Sequence, residues 1–282
     1  MFKNYLRNAL RRISKHRLHS AINIFGLSVS LATCIFILIW VLNQTSYDKF
    51  YKNVEQIFRI NFRDATYEQH KNYNVTPPAL SRELLNDFPE IEYAVSYENM
   101  SDILITLNKT KFKANISFSD KGFFDIFNFS LFKGTISTLF EIPYTTVITA
   151  KMAEKLFKDE DPIGKTILVN NLQEFTVVGV IQDVPALSSF QFEMITSISY
   201  LEELFGNENI SSRNEWGYHT FLLLPSNINR ESFERKISNY AAIKENFDWK
   251  PDSRSISMVE WLPGRTLEWA RHSVCSGQDG TQ

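Results

Sequence analysis

Between Leu18 and Tyr47 the chain carries no Asp, Glu, Lys or Arg, and within that stretch AINIFGLSVSLATCIFILIWVL runs for 22 apolar or uncharged residues. A helix of that length reaches about 33 Å, enough to cross a hydrocarbon layer about 30 Å thick. Its thirteen Ile, Leu, Val and Phe residues each favour insertion by roughly 0.3–0.6 kcal/mol. Together they outweigh Asn23 and the Ser/Thr hydroxyls, which can bond back to the helix backbone. The segment therefore reads as a transmembrane helix over residues 20–43. A cleaved secretory leader is the rival reading, but the run is longer than a leader's apolar core and no small-x-small cleavage site follows Leu42.

Charge orients this helix. Lys3, Arg7, Arg11, Arg12, Lys15 and Arg17 precede it with no acid among the first twenty residues, while residues 21–282 hold 24 basic against 32 acidic side chains, a balance of −8. Lys and Arg beside a span stay in the cytoplasm, so the N-terminus is assigned there and everything after Asn43 to the far side. Within the head, Phe2, Leu6, Ala9, Leu10 and Ile13 recur at helical spacing opposite the cations. This is the pattern of an amphipathic basic helix, residues 1–19, lying along the inner leaflet. A solvated leader that only sets topology is the alternative. The acidic body argues against nucleic-acid binding, which needs a positive footprint on the folded part. Cys34 and Cys275 are too few and too far apart in context for a structural disulfide or a Cys-ligated zinc site.

Beyond the span, helical and strand periods interleave, which indicates an α+β ectodomain over residues 44–261. Tyr47–Ile57 reads as a short helix entering the strand FRINF. Thr76 is placed to cap a helix opened by Pro77, with Leu80, Leu84 and Leu85 as its buried stripe. Ile103, Ile105 and Leu107, then Phe112, Ala114, Ile116 and Phe118, alternate on either side of Asn108-Lys109-Thr110, the signature of a hairpin. TVITA followed by Met152, Ala153, Leu156 and Phe157 reads as strand then helix, and EFTVVGVIQDV as a central strand apolar on both faces. Tyr218–Leu224 is a further strand, and Asn229 caps a helix facing the core with Phe233, Ile237, Tyr240 and Ala241. The element order suggests two subdomains: residues 45–101 pair with 213–261, and a β-rich insertion spans about 102–190. Asp48 and Lys49 would mark the water boundary, with Tyr47, Phe50 and Tyr51 as interfacial aromatics.

Catalytic patterns fail on context. Gly164-Lys165-Thr166 ends like a phosphate loop, but Asp159 stands where the loop's first glycine belongs, and ILVNN reads as a strand rather than a helix. Ser130-Leu131-Phe132-Lys133 matches an SxxK nucleophile motif, yet Gly134 follows where a helix should continue. His70, His219 and His272 are scattered and read as surface or turn residues. Asp159, Glu160 and Asp161 read as a solvated loop rather than a cation site. Neither a catalytic residue, a cofactor nor a metal is expected, and enzymatic activity is not.

The run FKNYLRNALRRISKHRLHSAINIFGLSVSLATCIFILIWV, then TSYDKFYKNVEQIFRI, resembles the opening of bacterial ABC-transporter permeases of the MacB/FtsX/LolC-E type. TPPALSRELLNDFPEIEYAV, FSDKGFFDIFNFSLFKGT, TVITAKMAEKLFKDEDPIGKTILVN, FTVVGVIQDVPALSSFQFEMI and WGYHTFLLLP resemble, in order, the MacB-like periplasmic core domain. The most specific part is DEDPIGKT followed by FTVVGV. In it Asp161, Pro162, Gly164 and Lys165 form a family-motif turn, Pro presetting φ and Gly taking a positive φ.

The resemblance implies a permease subunit of the bacterial inner membrane, single-pass in this chain, with a periplasmic two-subdomain ectodomain. It implies a homo- or heterodimer with a permease, and a separate cytoplasmic ATPase whose work drives efflux, export or lipoprotein extrusion. Family members carry three further spans. After Glu260 this chain instead runs WLPGRTLEWARHSVCSGQDGTQ, and Trp249, Trp261 and Trp269 crowd its last 34 residues. Residues 262–282 are expected to be an irregular tail of a truncated permease, in which ATPase binding by this chain alone is in doubt. The alternative is a single-span membrane-anchored periplasmic sensor or binding ectodomain.

Overall fold

The computed structural model describes residues 15–64, 71–205, 217–238, 240 and 254–260. They belong to two compact units, residues 1–47 and 48–282. In the first, helix α1 (Arg17–Gln44) runs for 28 residues with none buried. Its apolar side chains have no protein core to enter, the state expected of a helix whose solvent is lipid. The hydroxyls of Ser28, Ser30 and Thr33 donate to the carbonyls of Ile24, Gly26 and Val29 at 2.7–2.9 Å, which satisfies them without water. The expected helix over residues 1–19 lies mostly outside the described residues.

The second unit contains strands β1 (Ile57–Asp64) and β2 (Lys71–Tyr73), helix α2 (Leu80–Asp87), and the long strands β3 (Tyr93–Leu107) and β4 (Thr110–Ser119). Helix α3 (Phe123–Phe127), strand β5 (Leu131–Gly134), strand β6 (Thr145–Thr149) and helix α4 (Ala150–Phe157) follow. Then come β7 (Thr166–Val169), β8 (Gln173–Ile181), β9 (Met194–Ser197), helix α5 (Ser199–Phe205), β10 (His219–Leu223), helix α6 (Arg230–Ser238) and β11 (Arg254–Glu260). The strands form one sheet in the order β11-β1-β10-β3-β4-β9-β6-β8-β5. β4–β9 and β6–β8 are parallel, while the other neighbours along this path are antiparallel. Strand β7 joins β8 and also reaches β3, so β3-β4-β9-β6-β8-β7 closes a ring.

Three apolar clusters follow from strand alternation. On β10, Leu222 faces one side with Ala94, Leu80, Leu84, Phe233 and Ile237, whereas Phe221 and Leu223 face the other. Helices α2 and α6 thus cover one face of β1-β10-β3, because alternate residues of each strand point that way. The opposite face holds an aromatic core of Tyr51, Tyr97, Phe123, Phe127, Phe190, Phe192 and Phe221. The ring of strands encloses the third cluster, which includes Ile105, Ile116, Ile167, Phe175, Val177 and Met194.

The β3–β4 hairpin turns on Asn108-Lys109, with Leu107 opposite Thr110 and both turn residues at positive φ, 48° and 68°. That is the type I′ geometry whose twist matches the flanking strands. β3 passes residue 102 without ending, but a bulge between Met100 and Ile103 interrupts its register there. Strand β8 has partners on both sides yet stands next to the sheet edge, since β5 lies beyond it. Thr76 does not cap a helix: α2 begins at Leu80, and the Thr76 hydroxyl donates to the Tyr218 carbonyl at 2.9 Å, where the two residues bridge. Leu80 and Leu84 are buried but Leu85 is 41% exposed, so the stripe is one residue narrower than the sequence suggests. Of the helix expected over Tyr47–Ile57, residues 47–53 form turns and only Val54–Gln56 makes a single 3₁₀ turn.

Candidate functional site

The second unit begins on a buried junction. Asp48 is 1% exposed and adopts φ 57°, a left-handed conformation that Asp tolerates better than bulkier residues. Its backbone N–H donates to the Leu187 carbonyl at 2.9 Å. Its carboxylate accepts the Ser189 N–H at 2.8 Å and, through the other oxygen, the Ser189 hydroxyl. Three residues on, the Tyr51 hydroxyl and Ser188 Oγ are 2.9 Å apart, and that Oγ accepts the Phe190 N–H at 3.0 Å. The Gln191 side chain donates to the carbonyls of Pro185 and Ser188. Burial pushes the Asp48 carboxyl pKa up against the lowering effect of the two Ser189 bonds, and it pushes the Tyr51 hydroxyl up as well. The Tyr51 ring lies edge-on to Phe127 at 5.3 Å and Phe190 at 6.2 Å. The segment directly after the apolar helix is thereby fixed to the β8–β9 loop and to the aromatic core.

This corrects the placement of Asp48 at the water boundary and of Tyr51 among interfacial aromatics. Both are inside because their partners lie about 140 positions away, a separation to which periodicity is blind. Lys49 and Phe50 remain exposed.

The second motif lies between α4 and β7. Asp161 Oδ1 accepts the Ile163 N–H at 3.1 Å and Oδ2 pairs with Lys133 Nζ of β5 at 2.9 Å. The Lys165 N–H donates to the Pro162 carbonyl at 3.1 Å, with Gly164 at φ 79°. The turn is thus centred on Ile163-Gly164, one residue later than the sequence suggests. Gly164 N–H and Lys165 C=O both bond to Val177 of β8, which sets the entry to the β7–β8 hairpin. Lys165 also pairs with Glu160. The Lys133 contact holds the Asp161 carboxyl below its ordinary range, and the Lys165 contact does the same for Glu160. Of the head cations, Lys15 and Arg17 are exposed, and Lys3, Arg7, Arg11 and Arg12 lie outside the described residues.

Residues 20–240 match the family described as the MacB-like periplasmic core domain. The chain belongs to that family. Among solved structures, a permease-protein domain from Porphyromonas gingivalis superposes with a TM-score of 0.63 at 17% identity, covering 74% of this chain and 92% of that one. The periplasmic region of MacB from Actinobacillus actinomycetemcomitans gives 0.53 at 15% identity, with 74% and 92% covered. The extracellular domain of the noncanonic ABC-type transporter YknZ from Gram-positive bacteria gives 0.51 at 16%, with 72% and 99% covered. These likenesses show a shared fold. No curated protein matches the chain.

Other candidate groups in this MacB-like domain take structural places. Gly164-Lys165-Thr166 leads into strand β7, and Ser130 precedes strand β5, so neither motif meets a helix N-terminus. His219 is a correction: it is buried in β10 with Nδ1 2.9 Å from the Asn74 carbonyl, and burial lowers its pKa to about 4. It is a neutral core histidine, not a surface one. His70 and His272 lie outside the described residues. Among the described residues no three His, Cys, Asp or Glu side chains gather as a metal site. Glu98 drew no notice in the sequence, because one acid in a polar stretch carries no signal. On β3 it is half-buried, and burial raises its pKa to about 8.

Proposed function

We propose that this chain is a membrane-anchored permease subunit, or a piece of one, of an ABC transporter in the bacterial inner membrane. In this reading α1 spans the membrane with its N-terminus in the cytoplasm. The ectodomain stands in the periplasm as two subdomains, the second inserted near residues 102–190. It couples a separate cytoplasmic ATPase to export or to extrusion of a lipoprotein or other substrate, and works as a dimer with a permease chain. The catalytic step, ATP hydrolysis, belongs to the ATPase.

One observation carries the proposal: the family match runs from residue 20 to residue 240, which supports reading helix and ectodomain as one module. The Asp48–Ser189 junction supports it mechanically. A side chain that is buried, paired twice and joined to two chain segments transmits displacement rather than absorbing it, because packed interiors deform little. Displacement of the chain at Asp48 would reach the β8–β9 loop directly through the Ser189 contacts.

Two measurements test this. Cysteines placed at Ser14 and Lys109 should be shielded from and open to an impermeant thiol reagent, respectively, in right-side-out vesicles, with Arg7, Arg11 and Arg12 to Glu weakening that orientation. Affinity purification from the native membrane should recover a permease partner and, held by that partner, an ABC ATPase. Recovery of a signalling partner alone would sink the proposal and favour the sensor reading.

A further inference from the structure

Beside the junction lies a cavity of about 520 Å³ whose lining includes Phe124, Phe129, Phe140, Lys52, Lys121 and Asp125. Its walls are aromatic: Phe124 and Phe129 have ring centroids 6.2 Å apart, Phe124 and Phe140 6.3 Å, and Phe129 meets Tyr51 at 5.8 Å. Lys52 and Lys121 are exposed at its rim. Lys121 stands 3.8 Å from Glu141 in a solvated pair, and no ion pair of Lys52 is present among the described residues. The lining itself carries two ammonium groups against the one carboxylate of Asp125, and Glu141, outside the lining, offsets Lys121 only through an exposed contact that water screens. A small inorganic anion would use the rim and leave the aromatic walls wet, whereas an anionic amphiphile uses both.

The covalent chain selects among amphiphiles. Lys52 is five residues past Tyr47, where the charge-free stretch ends, so the cavity mouth is at most about 18 Å of chain from that point. A site tethered so close to a bilayer meets lipid headgroups at a high effective concentration, and a weak site is then filled. Each lysine near an anionic surface adds attraction that a zwitterionic surface does not supply. We infer that this cavity binds the headgroup and upper glycerol region of an anionic phospholipid, with the phosphate at Lys52 and Lys121 and the apolar part against Phe124, Phe129 and Phe140. The inference rests on α1 crossing a membrane and not on the transport reading. A bound lipid would press on Phe129 and, through it, on Tyr51 of the junction.

The test uses the full chain in vesicles of phosphatidylglycerol with phosphatidylcholine, or of phosphatidylcholine alone. A diazirine amino acid replaces Ser137, which lines the cavity and is exposed, and lipid adducts are read by mass. The expected result is a phosphatidylglycerol adduct that falls by about fivefold or more in Lys52→Glu/Lys121→Glu, with an unchanged melting temperature showing that the variant is folded. Phenylalanine-preserving Ser130→Trp, which narrows the cavity from its exposed rim, should lower the adduct with both lysines intact. Equal adducts from the two vesicle types, an equal adduct from the probe moved to Lys109 on the distant hairpin turn, or complete loss on adding inorganic phosphate would overturn the inference. So would a protein adduct in place of lipid when native membranes are used. None of these readouts requires an ATPase, so failure here is separable from failure of the transporter reading.

Discussion

Asp48 and Ser189, 141 residues apart in sequence, form a buried pair in which one carboxylate accepts both the backbone N–H and the hydroxyl of the same residue. Replacing Ser189 by Ala removes one of the two bonds and leaves a carboxylate oxygen short of a donor. Hydrogen bonds to charged or buried groups carry such penalties, so a loss of about 1–2 kcal/mol is expected. Asp48→Ala strips both bonds and should cost about 2–4 kcal/mol. Denaturant unfolding of the full chain, followed by a signal from the second unit, checks the order. Equal effects of the two substitutions would show that the backbone bond contributes nothing.

His219 of β10 and the half-buried Glu98 of the adjacent β3 pull stability in opposite directions with pH. His219 has its pKa lowered to about 4, so the unfolded chain binds a proton that the native state refuses. Its contribution is present above pH 6.5 and is lost as pH falls toward 4, by about 3 kcal/mol at the limit. Glu98 has its pKa raised to about 8. Its contribution is present below pH 4.5 and is lost as pH rises toward 8, again by a few kcal/mol at most. The two slopes cancel where the ranges overlap, so melting temperature should be flat from about pH 4.5 to 6.5 and fall on either side. Glu98→Gln should be neutral or mildly stabilising at acidic pH and increasingly stabilising toward pH 8. A pH-independent difference between Glu98→Gln and the parent would mean that Glu98 is ionised in the native state.

Local pattern made some of this legible and left some out of reach. The Asn108-Lys109 hairpin, the β6–α4 unit and the Asn229 cap, whose side chain accepts the Ser232 N–H at 3.0 Å, are all decided within a few residues of themselves. Their signals survive without knowledge of the rest of the chain. The ring closed by β7 onto β3 depends on pairing Ile105 with Val169, and the Asp48 junction on the loop at Ser188-Ser189. Both are set by topology, which strand alternation does not encode. Thr76 shows a second kind of failure: a good capping residue stands instead in a bridge with Tyr218, its hydroxyl donating to that carbonyl.

Glycine is required at a turn and at a strand end for different reasons. At Gly164, φ is 79° and an added Cβ would meet nothing within 4 Å, so Gly164→Ala should cost only the left-handed backbone penalty of about 1–2 kcal/mol. At Gly134, φ is 82° and an added Cβ would clash with the Val178 carbonyl oxygen and lie 2.9 Å from Gly179 Cα. Gly134→Ala should add a backbone clash to the same penalty and shift β5 away from β8. Comparing the two melting temperatures separates conformational from steric cost. A smaller loss at Gly134 than at Gly164 would show that β5 yields freely.

Helix α6 offers the most direct check on the face that α2 and α6 cover. Phe233 is 3% exposed and its ring meets Phe88 edge-on at 5.9 Å, while Tyr240 donates its hydroxyl to Asp87 at 2.6 Å. The end of α2 is thus tied by ring packing to α6 and by a hydrogen bond to Tyr240 just beyond it, across one cluster. Phe233→Ala leaves a cavity beside Phe88, Leu84 and Leu222 and should cost about 3–5 kcal/mol. Leu85→Ala, one residue past buried Leu84 but 41% exposed, should cost well under about 1 kcal/mol, since little area leaves water there on folding. The contrast isolates burial from helix propensity, because Ala is the better helix former at both positions. A loss at Leu85 comparable to that at Phe233 would mean that α2 turns a wider face inward than its burial shows.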